Sequence, residues 1–157
     1  MPRLTGGCQC GAVRFACDRL GRASICHCRM CQKAFGNLFA PLVTAHDLEW
    51  TRGAPAWFQS SARVRRGFCA ACGTPLTYQY EGSPVDVAIC ALDDPDAAIP
   101  VIQVGMEGKR RWCDSLGALP MPDAAELTRA DALFGGNISH QHPDHETAEW
   151  PPGAVTP

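Results

Sequence analysis

Cysteine spacing constrains this chain more than any other feature, because seven of its ten cysteines fall into three short groups. A C-x-C pair lies near the start, a C-x-C-x-x-C group follows it, and a C-x-x-C pair stands near the middle of the chain. The seven residues are Cys8, Cys10, Cys26, Cys28, Cys31, Cys69 and Cys72. A single C-x-x-C is weak evidence, since a buried cysteine often serves as a small apolar side chain. Three such groups are hard to explain as core packing, and they predict metal binding.

The two outer pairs predict a closed structural site. Residues two apart on a strand point to the same face, so Cys8 and Cys10 can reach one ion together. Gly73 follows the C-x-x-C pair and supplies the unhindered backbone that a tight turn around a metal requires. Thiolates from both pairs would complete a tetrahedral zinc shell, with a binding energy on the order of 10 kcal/mol that contributes to folding. The predicted ligands are Cys8, Cys10, Cys69 and Cys72.

The central group predicts a second zinc ion with a different kind of site. Cys26, Cys28 and Cys31 supply only three ligands, which leaves a fourth position for water or an incoming thiol. Three protein ligands and one open position are typical of catalytic zinc. A protein side chain can also close that position and make the second site structural. The candidates for this closed alternative are Cys17, Cys90, Cys113, His27 and His46. We expect the His27 ring, between two ligands, to point away from the metal.

Glycine and proline are frequent and separate short apolar runs, which favours a β-rich fold with little helix. The predicted strands are residues 12–17, 63–68, 76–80, 85–92 and 99–104. The predicted helices are residues 30–35 and 123–134.

A length of 157 residues favours one domain, which we place at residues 1–134. We expect residues 135–157 to form a C-terminal tail docked on its own chain or on a neighbour, with the histidines at 140, 142 and 145 solvated.

Composition limits the partners and the location of the chain. The formal net charge is −2, so bulk charge gives no reason to expect nucleic acid or an anionic membrane as a partner. The chain also lacks a stretch resembling a signal peptide and a run of about 18 apolar residues. We therefore predict a cytoplasmic protein without nucleic-acid or membrane partners, and a homo-oligomer is compatible with the sequence. Cytoplasmic thiols stay reduced, which favours metal ligands over disulfides.

The cysteine groups and their neighbours resemble the glutathione-dependent formaldehyde-activating enzyme family, whose domain is shared with centromere protein V. The motifs are Gly7-Cys8-Gln9-Cys10-Gly11, then Cys26-His27-Cys28-Arg29-Met30-Cys31-Gln32-Lys33 with Gly36, then Arg66-Gly67-Phe68-Cys69-Ala70-Ala71-Cys72-Gly73. The resemblance covers about residues 5–115. One departure is Gln103-Val104, which stands where members often have a His-Ile pair.

The resemblance implies a fold, a set of metal ligands and a reaction. The fold is a set of coiled antiparallel β-sheets organised around the metals. The structural zinc is implied to bind Cys8, Cys10, Cys69 and Cys72, and the catalytic zinc Cys26, Cys28 and Cys31. The implied enzyme is a carbon–sulfur lyase that joins the sulfur of glutathione, or of a similar small thiol, to formaldehyde or another small aldehyde. The product with glutathione and formaldehyde is S-hydroxymethylglutathione.

Basic residues bear on both this function and its alternative. Zinc with three thiolates carries a net charge of −1, so a nearby cation would assist the chemistry. The candidate cations are Arg29, Lys33, Arg63, Arg65 and Arg66, which can also form a solvated surface. The alternative function is a non-catalytic zinc module with a structural or protein-binding role, for which residues 63–66 and 109–111 would be docking patches.

Overall fold

The computed structural model describes residues 3–150, and this part of the chain contains ten strands and two α-helices. The strands are β1 (Leu4–Gly7), β2 (Arg14–Cys17), β3 (Arg19–Cys26), β4 (Ala40–His46), β5 (Glu49–Arg52), β6 (Ala56–Ser61), β7 (Val64–Phe68), β8 (Pro75–Tyr80), β9 (Asp86–Ala88) and β10 (Ile102–Val104). The α-helices are α1 (Arg29–Phe35) and α2 (Ala124–Phe134). Short 3-10 helices lie at Ile89–Ala91, Pro95–Ala98, Met106–Gly108 and Arg111–Ala118. The predicted mainly β class is confirmed.

The strands form two sheets. The smaller sheet has the order β1-β2-β5, and the larger has the order β10-β3-β4-β9-β8-β7-β6. Neighbouring strands run antiparallel, as predicted, except that β10 pairs with β3 in parallel. Most consecutive strands can pair antiparallel because short turns connect them, whereas β10 reaches β3 only after a long excursion through the chain.

Both sheets contribute to the main hydrophobic core. Phe15 of β2, Val43 of β4, Leu76 of β8 and Val87 of β9 are almost fully buried members of one cluster. Burying a side chain of this size contributes roughly 1.5–3 kcal/mol. A smaller buried cluster forms around Cys31, next to the central cysteine group. Each cysteine group therefore packs against a buried apolar cluster.

The predicted strands agree with the structure best in the middle of the chain, where residues 63–68 and 76–80 correspond to β7 and β8. The predicted strand at 85–92 is too long, because a 3-10 turn follows β9. The sequence-based prediction also omits β3 and β4, which lie side by side within the larger sheet. No helix in residues 3–150 combines the length and apolar character needed to cross a bilayer.

The C-terminal segment makes contacts with the N-terminal part of the same chain. The His142 backbone N–H donates to the Gln9 carbonyl at 2.7 Å, and Arg14 donates to the Glu146 carboxylate at 2.7 Å. His142 is only 3% exposed, so the expectation that it is solvated is wrong. It is buried because the segment folds back over the first cysteine turn. Residues 151–157 of the predicted tail lie outside the described residues.

Candidate metal centres

Cys8 and Cys10 lie in the turn between β1 and β2, so the prediction that they lie on a strand is wrong. The Cys8 N–H donates to the Val13 carbonyl at 2.9 Å and closes the turn. The Val13 N–H in turn donates to the Cys8 sulfur at 3.2 Å. The turn brings the two sulfurs to 3.6 Å from each other, so they converge although the backbone is not extended.

Cys69 and Cys72 lie in the turn that connects β7 to β8. The Cys69 N–H donates to the Thr74 carbonyl at 2.9 Å, and the Gly73 N–H donates to the Cys69 carbonyl at 2.9 Å. Gly73 has a φ of +77°, a left-handed conformation that favours glycine, as its place in the sequence predicted. The Gln9 N–H donates to the Thr74 hydroxyl at 3.0 Å and links this turn to the first one.

We call Cys8, Cys10, Cys69 and Cys72 the outer cluster, because the structure brings their four sulfurs within 4.8 Å of one another. The Cys10 and Cys69 sulfurs are 3.8 Å apart. A tetrahedral zinc site with bonds of about 2.3 Å has sulfurs separated by about 3.8 Å, so the arrangement fits zinc. Burial raises the pKa of Cys8 to about 12. Burial also opposes ionisation of Cys72, but hydrogen bonds from Thr74 lower its pKa to about 6.

We call Cys26, Cys28 and Cys31 the central cluster, and their sulfurs also lie within 4.8 Å of one another. Cys26 ends β3, Cys28 caps the start of α1, and Cys31 lies in its first turn. The Cys28 sulfur accepts a hydrogen bond from the Cys31 N–H at 3.4 Å. Burial opposes ionisation of Cys28, but this bond helps to lower its pKa. Burial raises the pKa of Cys31 to about 12, although the Arg66 guanidinium acts in the opposite direction.

No fourth protein ligand joins the central cluster within residues 3–150, where no further Cys, His, Asp or Glu atom completes the group. The side chains that could have closed the site therefore do not belong to the central cluster. They are Cys17, Cys90, Cys113, His27 and His46. His27 is buried, and its Nε2 lies 2.9 Å from the Gln103 side-chain oxygen. The expected orientation of His27 away from the metal agrees with this contact. Gln103 therefore helps to hold the His27 ring in place beside the central cluster.

Two glycines that the sequence motifs do not include pack directly on the backbone of the central cluster. A Cβ on Gly105 would lie 2.6 Å from the Cys28 nitrogen, and Gly105 also has a φ of +65°. A Cβ on Gly108 would collide with the His27 carbonyl oxygen. The available signal was a pair of glycines three residues apart, directly after the last predicted strand.

Only one of the three candidate arginines in β6–β7 reaches a cysteine cluster. Arg66 donates from Nη2 to the Cys31 sulfur at 3.4 Å and from Nε to the Ser60 hydroxyl at 3.0 Å. Arg65 donates to Gln79 at 2.7 Å, and its guanidinium lies over an exposed tryptophan ring. Arg63 pairs with the exposed carboxylate of Glu81, in the turn that follows β8. The three residues therefore do not form one continuous basic patch.

A groove of about 370 Å³ opens beside Arg66. Its lining combines the cations Arg29 and Lys33 with the carbon surfaces of Met30 and Phe58. Arg29 also donates to the Gln32 side chain at 3.0 Å, which orients it on α1. The groove is mostly apolar with a basic border, which suits a small neutral molecule and an anionic group together.

Comparisons with known proteins add to this geometry. The family model described as "Glutathione-dependent formaldehyde-activating enzyme" matches residues 3–114. No curated protein matches the chain significantly. The crystal structure of a Rhodobacter sphaeroides protein from a structural genomics programme is similar, with a TM-score of 0.51 and 24% sequence identity. The match covers 64% of this chain and 99% of that chain, and at this identity it shows the fold alone.

Proposed function

Because the chain belongs to the glutathione-dependent formaldehyde-activating enzyme family, we propose that it is a carbon–sulfur lyase that joins a thiol to a small aldehyde. Glutathione, or a similar thiol, and formaldehyde are the proposed substrates. The outer cluster holds a structural zinc ion and the central cluster a catalytic one. The proposed catalytic domain is residues 1–134 with a C-terminal tail at 135–157, whose described part contacts the N-terminal part of the chain, and the proposed location is the cytoplasm.

The observation that carries this proposal is the difference between the two clusters. The outer cluster has four converging sulfurs, which saturate a tetrahedral ion and leave no position for a substrate. The central cluster has three, and no other potential ligand side chain of the described chain approaches them. An incomplete protein shell is the arrangement that catalysis at a metal requires, and Arg66, which contacts Cys31, also lines the groove.

Cys26, Cys28 and Cys31 would hold the zinc ion, which would supply a coordination position where a thiol can ionise near neutral pH. The chain's own residues set the charge and access around that position. Arg66 places a positive charge beside the thiolate of Cys31, which offsets the net negative charge of the cluster. In the reaction, the thiol sulfur forms a bond to the carbonyl carbon and the π electrons of the C=O bond move to oxygen. The proton released by the thiol ends on that oxygen.

Metal analysis combined with an adduct assay tests the proposal. Wild-type protein should contain two zinc ions and accelerate adduct formation from formaldehyde and glutathione above the spontaneous rate. Cys28→Ser should lose the central ion and the acceleration. The matched control is Cys90→Ser, because Cys90 is exposed and belongs to neither cluster. Full acceleration by Cys28→Ser would refute the catalytic assignment. Two bound ions in wild type with no acceleration by any thiol would favour the non-catalytic zinc module.

A further inference from the structure

Arg66 is a buried cation with no carboxylate partner. The residue is 6% exposed, and none of the ion pairs in residues 3–150 includes it. Its guanidinium lies over the Tyr78 ring, 5.1 Å from the ring centroid. The group with negative charge that it contacts is the central cluster, through the Cys31 sulfur.

The energetics indicate that this arrangement serves the central cluster. An uncompensated buried charge costs several kcal/mol, whereas a desolvated cation–π contact returns about 2 kcal/mol. A divalent ion with three thiolates carries one net negative charge, which matches the single positive charge of Arg66. The arginine is therefore balanced only when the central cluster is loaded, and its position is explained by the site and not by a docking surface.

One nitrogen of Arg66 still has no partner. Nη1 is buried without a hydrogen bond, while Nε and Nη2 are both bonded. An unmet buried donor costs roughly 1–3 kcal/mol, so an acceptor is expected in the working protein. The groove beside it offers carbon surfaces, two further cations and the Ser60 hydroxyl, which already accepts from Nε. The residues that line the groove therefore supply no free acceptor for Nη1, and a ligand oxygen can fill this role.

We propose that Arg66 Nη1 receives an anionic oxygen held one or two carbons from the sulfur of a thiol at the central cluster. This inference rests on the proposed function, in which that oxygen is the aldehyde oxygen of the adduct. The oxygen gains negative charge as the C–S bond forms, and it loses that charge when it takes the proton. A donor already fixed at this place strengthens its hydrogen bond as the charge grows, without reorganisation. Arg66 is thus a catalytic residue.

A binding experiment tests the oxygen site without relying on turnover. The zinc-loaded full chain is titrated calorimetrically with mercaptoacetate, whose carboxylate is adjacent to the sulfur-bearing carbon, and with ethanethiol, which lacks an anionic oxygen. The variants are Arg66→Met and the control Arg65→Met, because Arg65 is the next residue on β7 and is exposed. Arg66→Met should reduce the preference for mercaptoacetate at least tenfold, and Arg65→Met should keep it. An unchanged preference in Arg66→Met would overturn the proposal.

A kinetic experiment tests the role in the reaction. Arg66→Met should lower kcat for adduct formation from glutathione and formaldehyde by about 10²–10³-fold, the usual effect of losing an oxyanion donor. The KM for glutathione should change little. A raised KM with unchanged kcat would mean that Arg66 binds a glutathione carboxylate, and the proposal would be wrong. Should Arg66→Met lose zinc, Arg66→Lys retains the charge without the second directed donor, and the same losses are expected.

The two experiments separate this inference from the proposed function. A wild-type protein that forms no adduct but shows an Arg66-dependent preference for mercaptoacetate would refute the lyase activity and support the oxygen site. A wild-type protein that accelerates adduct formation, with Arg66→Met equally active and zinc-loaded, would support the activity and refute the oxygen site.

Discussion

Replacing Cys69 with serine should remove most of the folding stability of this protein. Cys69 is 1% exposed, and its sulfur lies 3.8 Å from that of Cys10, in the interior of the outer cluster. Structural zinc sites of this kind contribute roughly 10–16 kcal/mol of apparent binding free energy. The whole free energy of unfolding of a typical domain is about 5–15 kcal/mol. Loss of the ion therefore removes an amount comparable to the total stability.

Cys17→Ser is the matched control, because Cys17 is equally buried at 0% exposed but belongs to neither cluster. Burying its hydroxyl without a partner should cost about 1–3 kcal/mol. At about 2–4 °C per kcal/mol, the Tm of this variant should fall by roughly 2–12 °C. Thermal unfolding followed by circular dichroism, with zinc measured on the same samples, compares the variants. Equal Tm shifts and equal zinc contents in Cys69→Ser and Cys17→Ser would refute the structural role.

Three further perturbations test the surroundings of the two clusters. Gly105→Ala places a Cβ 2.6 Å from the Cys28 nitrogen, so competition titration should show at least tenfold weaker zinc binding at the central cluster only. Asp93→Asn leaves Arg14, which is 2% exposed, with one carboxylate fewer, and denaturant unfolding should show a loss of about 3 kcal/mol. Burial opposes ionisation of Asp93, but Arg14 lowers the pKa of this carboxyl below its value in the unfolded chain. The Asp93 carboxylate therefore stabilises the folded state above about pH 4, and this stabilisation is lost as the pH falls further. The stability gap between wild type and Asp93→Asn should therefore narrow as the pH falls below 4 in the same assay; a constant gap would contradict the pairing. Glu146→Gln should cost under about 1 kcal/mol by the same measurement, because Glu146 is 41% exposed.

The grouping of the cysteines could be predicted because metal ligands follow local rules. Within each motif only one or two residues separate neighbouring cysteines, so a single turn or helix start brings the sulfurs together. The prediction that Cys8 and Cys10 lie on a strand was nevertheless wrong. A C-x-C pair can converge in a turn as well as on a strand, and the spacing alone does not distinguish the two.

The strands could be predicted where apolar and polar residues alternate, as in β8. β3 was missed because its pattern is irregular: only Ala23 is buried, and the pairing with β4 shifts between Leu20 and Ala23. Contacts between residues far apart in the sequence could not be predicted either. Nothing near His142 in the sequence indicates that it contacts Gln9, because that contact depends on how the two ends of the chain fold together.

Arg66 shows most clearly what the sequence could not supply, and it also connects the two clusters. Adjacent residues of a strand face opposite sides, so the register of β7 decides whether Arg65 or Arg66 meets the central cluster. That register pairs Arg66 with Tyr78 on β8, and the hydrogen bond between Cys69 and Thr74 closes the hairpin three residues further along. The turn that carries two ligands of the outer cluster therefore also holds the strand that carries Arg66. We therefore expect that a metal bound at the outer cluster would also support the central site, because it would keep this hairpin in register and the arginine beside the Cys31 sulfur.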